Sequence, residues 1–193
     1  MARSMMLTEI RQLFAVLPLE ASLDDYHSAI DGRNVLAKPT QSSREKSFRH
    51  LVELYGLDLK KPLFRTLRML AKDQPADLPL MAMLCTYARD PQLRHSFELI
   101  DVISPGSVLP RQKMETHLET GFPGLFSEGM KKSLAQNVNT TWTACGHLEG
   151  HTKKVRSRPR PGWAAATYAM YVGYLVGLRG EILLNSVFGH LVA

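Results

Sequence analysis

Apolar residues recur at helical spacing, three and four positions apart, through most of the chain. The predicted helices of the first half cover residues 7–17, 22–30, 42–55, 62–71, 79–87 and 92–103. Local signals mark their ends: Ser22 and Ser42 are predicted N-caps, Pro62 opens a first turn, Asp90 precedes a proline, and Gly56 follows a last turn. None of these segments alternates like a strand, so residues 1–105 are predicted to form a helical bundle.

The pattern changes after Pro105 and Gly106, where we predict a domain boundary. A short helix over residues 110–119, a glycine-rich connection and a long helix over residues 128–145 follow the helix-turn-helix plan. A short strand over residues 147–150, a basic segment and a helix over residues 164–176 come next. The fold class is therefore predicted as mainly α, with a winged helix-turn-helix-like C-terminal half (residues 106–193).

The long helix over residues 128–145 has two different sides at about 100° per residue. Its apolar side is predicted to hold Met130, Leu134, Val138, Trp142 and Cys145. Its other side carries short polar groups and lysine but no acid; these residues are Lys132, Ser133, Gln136, Asn139, Thr140 and Thr143, with Lys131 at the flank. Such groups suit phosphates and base edges, so this side is predicted to bind DNA. The alternative is an ordinary solvated helix that happens to lack acids.

The basic segment over residues 151–161 contains no acid. Its cations are Lys153, Lys154, Arg156, Arg158 and Arg160, and the last four alternate so that they would share one side of an extended chain. Pro159 and Pro161 favour that extended form. We predict a wing whose cations lie along DNA phosphates, where five contacts would contribute about −4 to the slope of log K against log salt. A solvated basic loop is the alternative.

Composition narrows the function classes. The formal net charge of +6 favours an anionic partner, either nucleic acid or an acidic membrane surface. The uncharged run over residues 162–178 is at the short limit for a membrane span and is predicted to be a buried helix instead. The N-terminal residues do not fit a secretory signal, and Cys85 and Cys145 are predicted as buried free thiols, so a cytoplasmic location is expected.

Motifs for chemistry are missing from the sequence. It has no glycine-rich phosphate loop, HExxH or GxSxG pattern. Cys145, His147 and His151 are close in sequence, but they match no common zinc spacing, lack a fourth ligand and lie beside cations. We therefore expect no enzymatic activity, no cofactor, no metal and no small-molecule substrate.

Four stretches of the chain resemble the BrxA family, the small proteins of bacteriophage-exclusion (BREX) defence systems. They are SSREKSFRHLVELYGLDLKKPLFRTLRML, LPLMAMLCTYARDPQLR, FSEGMKKSLAQNVNTTWTACGHLEG and GLRGEILLNSVFGHL. The resemblance implies a winged-helix-type accessory protein that binds double-stranded DNA beside other defence-system proteins in a bacterial cytoplasm. It supports the polar helix side and the basic arm as the DNA surface, and it brings no catalytic motif.

Two other functions fit the same residues. One is a helical adaptor whose basic arm docks an acidic protein partner or RNA, because the arm would bind any phosphate backbone. The other is a membrane-attached protein held through residues 162–178, a use that their length and composition disfavour.

Overall fold

The structure is a computed structural model that describes residues 4–193, and it is mainly helical, as predicted. Residues 1–3, at the start of the predicted bundle, lie outside the described residues. The helices are α1 (Leu7–Val16), α2 (Leu23–His27), α3 (Gln41–Tyr55), α4 (Pro62–Asp73), α5 (Leu78–Arg89), α6 (Pro91–Val102), α7 (Arg111–Gly121), α8 (Glu128–Ala144), α9 (Trp163–Leu175), α10 (Gly180–Leu184) and α11 (Val187–His190). The strands are β1 (Val108–Leu109), β2 (Leu148–Glu149) and β3 (Lys154–Arg156).

Helix α5 is at the centre of the molecule. Every residue from 80 to 87 is buried, and the helix packs against α1, α3, α4, α6, α8 and α9. A helix that is buried on all sides needs apolar residues around its whole circumference, which the sequence LPLMAMLC supplies. Around it the buried apolar residues of both halves of the chain form one cluster.

Most helix ends follow the local signals. The side chains of Ser22 and Asp90 accept hydrogen bonds from the first turns of α2 and α6, as predicted, and the Ser127 side chain accepts one from the first turn of α8. The expected cap at Ser42 is wrong: α3 begins at Gln41, and Thr40 is the cap, with its hydroxyl accepting from the Ser43 backbone. Thr40 follows Pro39 in extended conformation, which is the geometry a cap requires.

Asp77 has a different role from the one its position suggests. It does not cap α5. Its two carboxylate oxygens accept hydrogen bonds from the backbone N–H groups of Gly162 and Ala165, each at 2.9 Å. Asp77 therefore caps α9, across the fold.

Helix α9 occupies most of the uncharged run over residues 162–178. It packs against α4, α5 and α11, and the Tyr168 hydroxyl donates to the Leu63 carbonyl oxygen at 2.9 Å. The prediction of a buried helix here is confirmed. Among residues 4–193, no helix has both the length and the apolar character needed to cross a membrane.

A small antiparallel sheet lies beside α7 and α8, with strand order β1-β3-β2. Val108 pairs with Val155, and Leu148 pairs with Arg156. Strand β1 was not predicted, because two residues are too short to show an alternating pattern. Side-chain bonds also cross the region of Pro105: the Trp142 indole N–H of α8 donates to Ser96 Oγ of α6 at 2.9 Å. The division into two domains remains a prediction.

Candidate nucleic-acid interface

Helix α8 presents most of its predicted polar side to solvent. Lys132, Ser133, Gln136 and Thr140 are exposed, and Lys131 and Thr143 are half-buried. The apolar side is buried at Leu134, Val138, Trp142 and Cys145, as expected. Met130 was wrongly placed on that side, because it lies in the first turns, beyond the edge of the core, and is 56% exposed.

The hydroxyl groups of this face are turned back onto their own helix. Ser133 Oγ donates to the Gly129 carbonyl oxygen, Thr140 Oγ1 to that of Gln136, and Thr143 Oγ1 to that of Asn139, at 3.1, 2.8 and 2.7 Å. Short hydroxyl side chains within helices commonly bond four residues back in this way. Because the hydroxyl hydrogen is used in these bonds, each hydroxyl oxygen is left to act as an acceptor.

Lys131 forms salt bridges with two glutamates that lie outside the predicted polar side of α8. Its Nζ lies 2.9 Å from a carboxylate oxygen of Glu119 on α7 and 2.9 Å from one of Glu128 on its own helix. These hydrogen bonds raise the pKa of Lys131 above its ordinary value. The charge of Lys131 is therefore already balanced locally, unlike that of Lys132, which has no salt bridge among the described residues.

Asn139 is not exposed as predicted: only 4% of its surface is accessible. The helix turns it toward the sheet instead of toward open solvent. Its Oδ1 has no hydrogen-bond partner in the described part of the chain. A buried amide oxygen without a partner costs free energy, and its burial keeps it from an external donor unless the side chain moves.

The β2–β3 hairpin forms the other wall of the same region. Gly150 adopts a φ of 88°, and a Cβ there would collide with the Lys153 carbonyl oxygen, so the turn requires glycine. Lys154 Nζ donates to the Gly150 carbonyl oxygen at 2.7 Å, and partial burial lowers the pKa of Lys154. Lys153, at the tip, is exposed.

Arg156 corrects the predicted row of four cations. Its side chain is 8% exposed and does not share an open face with the other arginines. Its Nε donates to the Ile100 carbonyl oxygen at 2.9 Å, and its Nη1 donates to the carbonyl oxygens of His147, at 3.1 Å, and Ser157. Arg156 pairs directly with Leu148 of β2, which is buried, and directly paired residues of antiparallel strands share a face, so the arginine lies on the covered face of the sheet beside the end of α6.

The chain leaves strand geometry after Arg156. Arg158 and Arg160 are exposed, whereas Pro159 between them is buried against Gly146. The arm therefore offers Lys153, Arg158 and Arg160 freely and Lys154 partly, but not Arg156.

A cleft of about 740 Å³ separates the polar side of α8 from the hairpin turn. It is lined by Leu109, Arg111, Gln136, Asn139, Thr140, Thr143, Ala144, Gly150, His151, Thr152 and Lys154. No aspartate or glutamate is among these lining residues. The structure thus brings together four of the predicted α8 residues and Lys154 of the arm. The other predicted residues lie outside the cleft: Lys131, Lys132, Ser133, Lys153, Arg156, Arg158 and Arg160.

Arg111, His151 and Thr152 line the cleft but were not predicted as site residues. His151 and Thr152 belong to the acid-free segment that begins at residue 151, so their position in the sequence was a usable signal. Arg111 follows β1, whose pairing with β3 brings it to the cleft, and no local pattern indicates that pairing. Its Nε lies 2.7 Å from Glu115 Oε1.

Cys145 and His147 are buried neighbours, with Sγ and Nδ1 3.3 Å apart. Burial raises the pKa of the Cys145 thiol to about 12, and burial together with the Arg156 charge lowers the pKa of His147 to about 3. His151 is exposed in the hairpin turn, away from this pair. A neutral thiol and a neutral imidazole in the core are typical of packing groups.

The comparisons with known proteins give no relative: no protein-family model matches the chain, and no curated protein matches it significantly.

Proposed function

We propose that the protein is a non-catalytic accessory protein of a bacterial phage-defence (BREX) system that binds duplex DNA. The contacts would come from the exposed polar side of α8 and from the β2–β3 hairpin with its following arginines. We further propose that residues 106–193 act as a winged helix-turn-helix. The element order β1, α7, α8, β2, β3 and the strand order β1-β3-β2 support that arrangement.

The observation that carries DNA binding is the acid-free cleft between α8 and the hairpin. Gln136, Thr140 and Thr143 offer amide and acceptor groups on one wall, and Lys154 offers a cation on the other. A strand of the duplex that runs along this cleft would find polar groups for base edges and a positive charge for phosphates. The exposed Lys153, Arg158 and Arg160 extend the positive surface beyond it.

The phage-defence role has a separate and narrower basis. It rests on the resemblance of four stretches of the sequence to the BrxA family, and the other defence-system proteins are proposed as partners on the same basis. DNA binding rests on the side chains of α8 and the arm, so it can be tested independently of that role.

Fluorescence anisotropy with a labelled duplex tests the proposal directly. At low salt the protein should bind, and binding should weaken steeply as salt is raised. The absence of binding to duplex at low salt would contradict the proposal. Equal affinity for single-stranded DNA and RNA would assign the surface to general phosphate binding.

Docking on an acidic protein is the competing function, and pull-down from a nuclease-treated bacterial lysate separates the two. A partner bridged by DNA should be lost after nuclease treatment. A partner that stays, combined with no duplex binding in the anisotropy assay, would replace the DNA proposal with the adaptor function.

A further inference from the structure

Two histidines from different helices meet at the contact between α6 and α7. His95 Nε2 donates to the His117 carbonyl oxygen, and His117 Nε2 donates to the His95 carbonyl oxygen, each at 2.9 Å. The rings stack with centroids 4.2 Å apart and planes 6° apart. Because a carbonyl oxygen only accepts, each Nε2 carries its proton, and each Nδ1 is the nitrogen left for another partner.

Glu98 provides a third group at the same place. It lies one turn after His95 on α6, and its Oε2 is 3.3 Å from His95 Nδ1. One ligand atom from each of His95, Glu98 and His117 lies within 4.8 Å of the others. Ligand atoms bound at about 2.1 Å around a tetrahedral ion are about 3.4 Å apart, so His95 and Glu98 already have the spacing of two ligands on one ion.

We propose that His95, Glu98 and His117 bind a divalent transition-metal ion of the class that prefers imidazole and carboxylate ligands, such as Zn²⁺. The bond from His95 Nε2 to a backbone carbonyl oxygen is the outer interaction that orients metal-binding histidines. Two rings with planes 6° apart cannot both point their nitrogens at one ion. Since His95 already faces Glu98, His117 is the ring that turns out of the stack on binding.

The surroundings give an ion access to the site. The Glu98 side chain is 68% exposed, and a cavity of about 510 Å³ lies beside His95 and Glu98. Asp101 and His190 line the same cavity, outside the group of three residues whose ligand atoms lie within 4.8 Å of one another. The Arg94 charge also lies there, but its Nη1 donates to the carbonyl oxygens of Tyr87 and Ala88 at the end of α5.

Gly121, at the end of α7, makes room for the pair. A Cβ at this position would collide with the His95 ring. The close approach of α7 to α6 therefore depends on glycine at 121, and an ion held by both helices would fasten the helix that precedes α8 to the bundle.

The chain contains its own control for this site. His50 and Glu53 have the same spacing on α3, with Nδ1 and Oε2 3.1 Å apart. In the described part of the chain, they are not joined by a third ligand group at the distance found for His95, Glu98 and His117. The two pairs therefore differ in the second histidine: His95 and Glu98 have His117 beside them, and His50 and Glu53 have no such histidine at that distance among the described residues.

Isothermal titration calorimetry of the full-length protein with Zn²⁺, in the absence of DNA, tests the site. One equivalent should bind, and E98Q and H117Q should each weaken binding by at least about tenfold, since even outer partners of a metal site are worth about 10–100-fold in affinity. E53Q and H50Q should bind as the wild type does. The NMR signals of the His95 and His117 rings should shift on titration.

Three results would overturn the proposal: no binding at submillimolar Zn²⁺, equal loss in the E53Q and E98Q variants, or unchanged binding in E98Q. Because Glu98 is exposed, E98Q keeps the test valid even where H117Q unfolds, and circular dichroism checks each variant. The result is independent of DNA binding, which is measured separately.

Discussion

The exposed cations of the arm should control the salt dependence of DNA binding. We expect the triple variant K153A/R158A/R160A to lose about 2.7 from the slope of log K against log salt, at about 0.9 for each phosphate contact. Because Arg156 is buried, the arm as a whole contributes at most about 3.6, from four cations and not five. Raising salt fourfold should then weaken the wild type about 40-fold more than the variant.

Fluorescence anisotropy over a series of salt concentrations measures both slopes on the same duplex. The matched control is K46A/R49A/R65A, which removes the same charge from exposed positions on α3 and α4. Its slope should stay close to that of the wild type. If the arm variant keeps the wild-type slope, or if the control loses as much, the arm does not contact phosphates.

Arg156 should behave differently from its neighbours in the sequence. Arg156→Met removes hydrogen bonds to the carbonyl oxygens of Ile100, His147 and Ser157, and we expect a loss of about 2–4 kcal/mol in the free energy of unfolding. Urea denaturation measures that loss, and the slope of the folded variant should be unchanged. A variant of normal stability with a slope lowered by about 0.9 would mean that Arg156 contacts DNA after all.

Five further substitutions, in three experiments, should separate structural roles from binding roles. K131A should leave the salt slope nearly unchanged, because Glu119 and Glu128 already balance the Lys131 charge. K132A should lower the slope by about 0.9, and equal slopes for the two variants in the anisotropy assay would contradict this difference. D77A and G162A should each destabilise the protein by about 1–3 kcal/mol in urea denaturation. D77A leaves the start of α9 without its cap, and G162A forces a Cβ into the Asp77 carboxylate. Denaturation midpoints equal to that of the wild type would refute the role of this cap. The pKa of His147 is about 3 in the folded protein and 6.5 ordinarily, so between these values the unfolded chain takes up a proton that the folded chain does not. The free energy of unfolding should therefore fall by up to about 1.4 kcal/mol per pH unit as the pH drops from 6.5 towards 3. H147Q should show a shallower fall over the same pH range.

Local signals in the sequence predicted the elements that carry the candidate site. Ser127 caps α8 because its hydroxyl accepts from the Met130 backbone, an interaction that is complete within four residues. Gly146 ends the helix with a φ of 86°, which a glycine adopts without strain. Both features depend only on neighbours in the chain, so the helix and its polar side could be derived before any tertiary contact was known.

Tertiary contacts decided most of the rest. The spacing of Arg156 is that of an exposed cation in an alternating row, and its burial follows from its pairing with Leu148 of β2 and from the Ile100 carbonyl oxygen of α6. The burial of Asn139 depends likewise on the sheet that faces α8. Thr40, and not Ser42, is the α3 cap, and its partner Ser43 is local, so this correction needed no tertiary contact. The corrections at Arg156 and Asn139 involve partners that the local pattern does not contain.

The burial of Arg156 also bears on the alternative of a free, solvated loop. A solvated loop would hold its five cations apart in water, but Arg156 binds carbonyl oxygens at the end of α6 and at the base of the hairpin. Lys154 bonds the Gly150 carbonyl oxygen across the turn, and β3 pairs on both edges. The base of the arm is therefore fixed by folding, so a ligand that binds there meets less of the entropy cost of ordering a loop. Arg156 is thus not part of the binding surface, and the exposed cations beside it are attached to a backbone that folding holds in place.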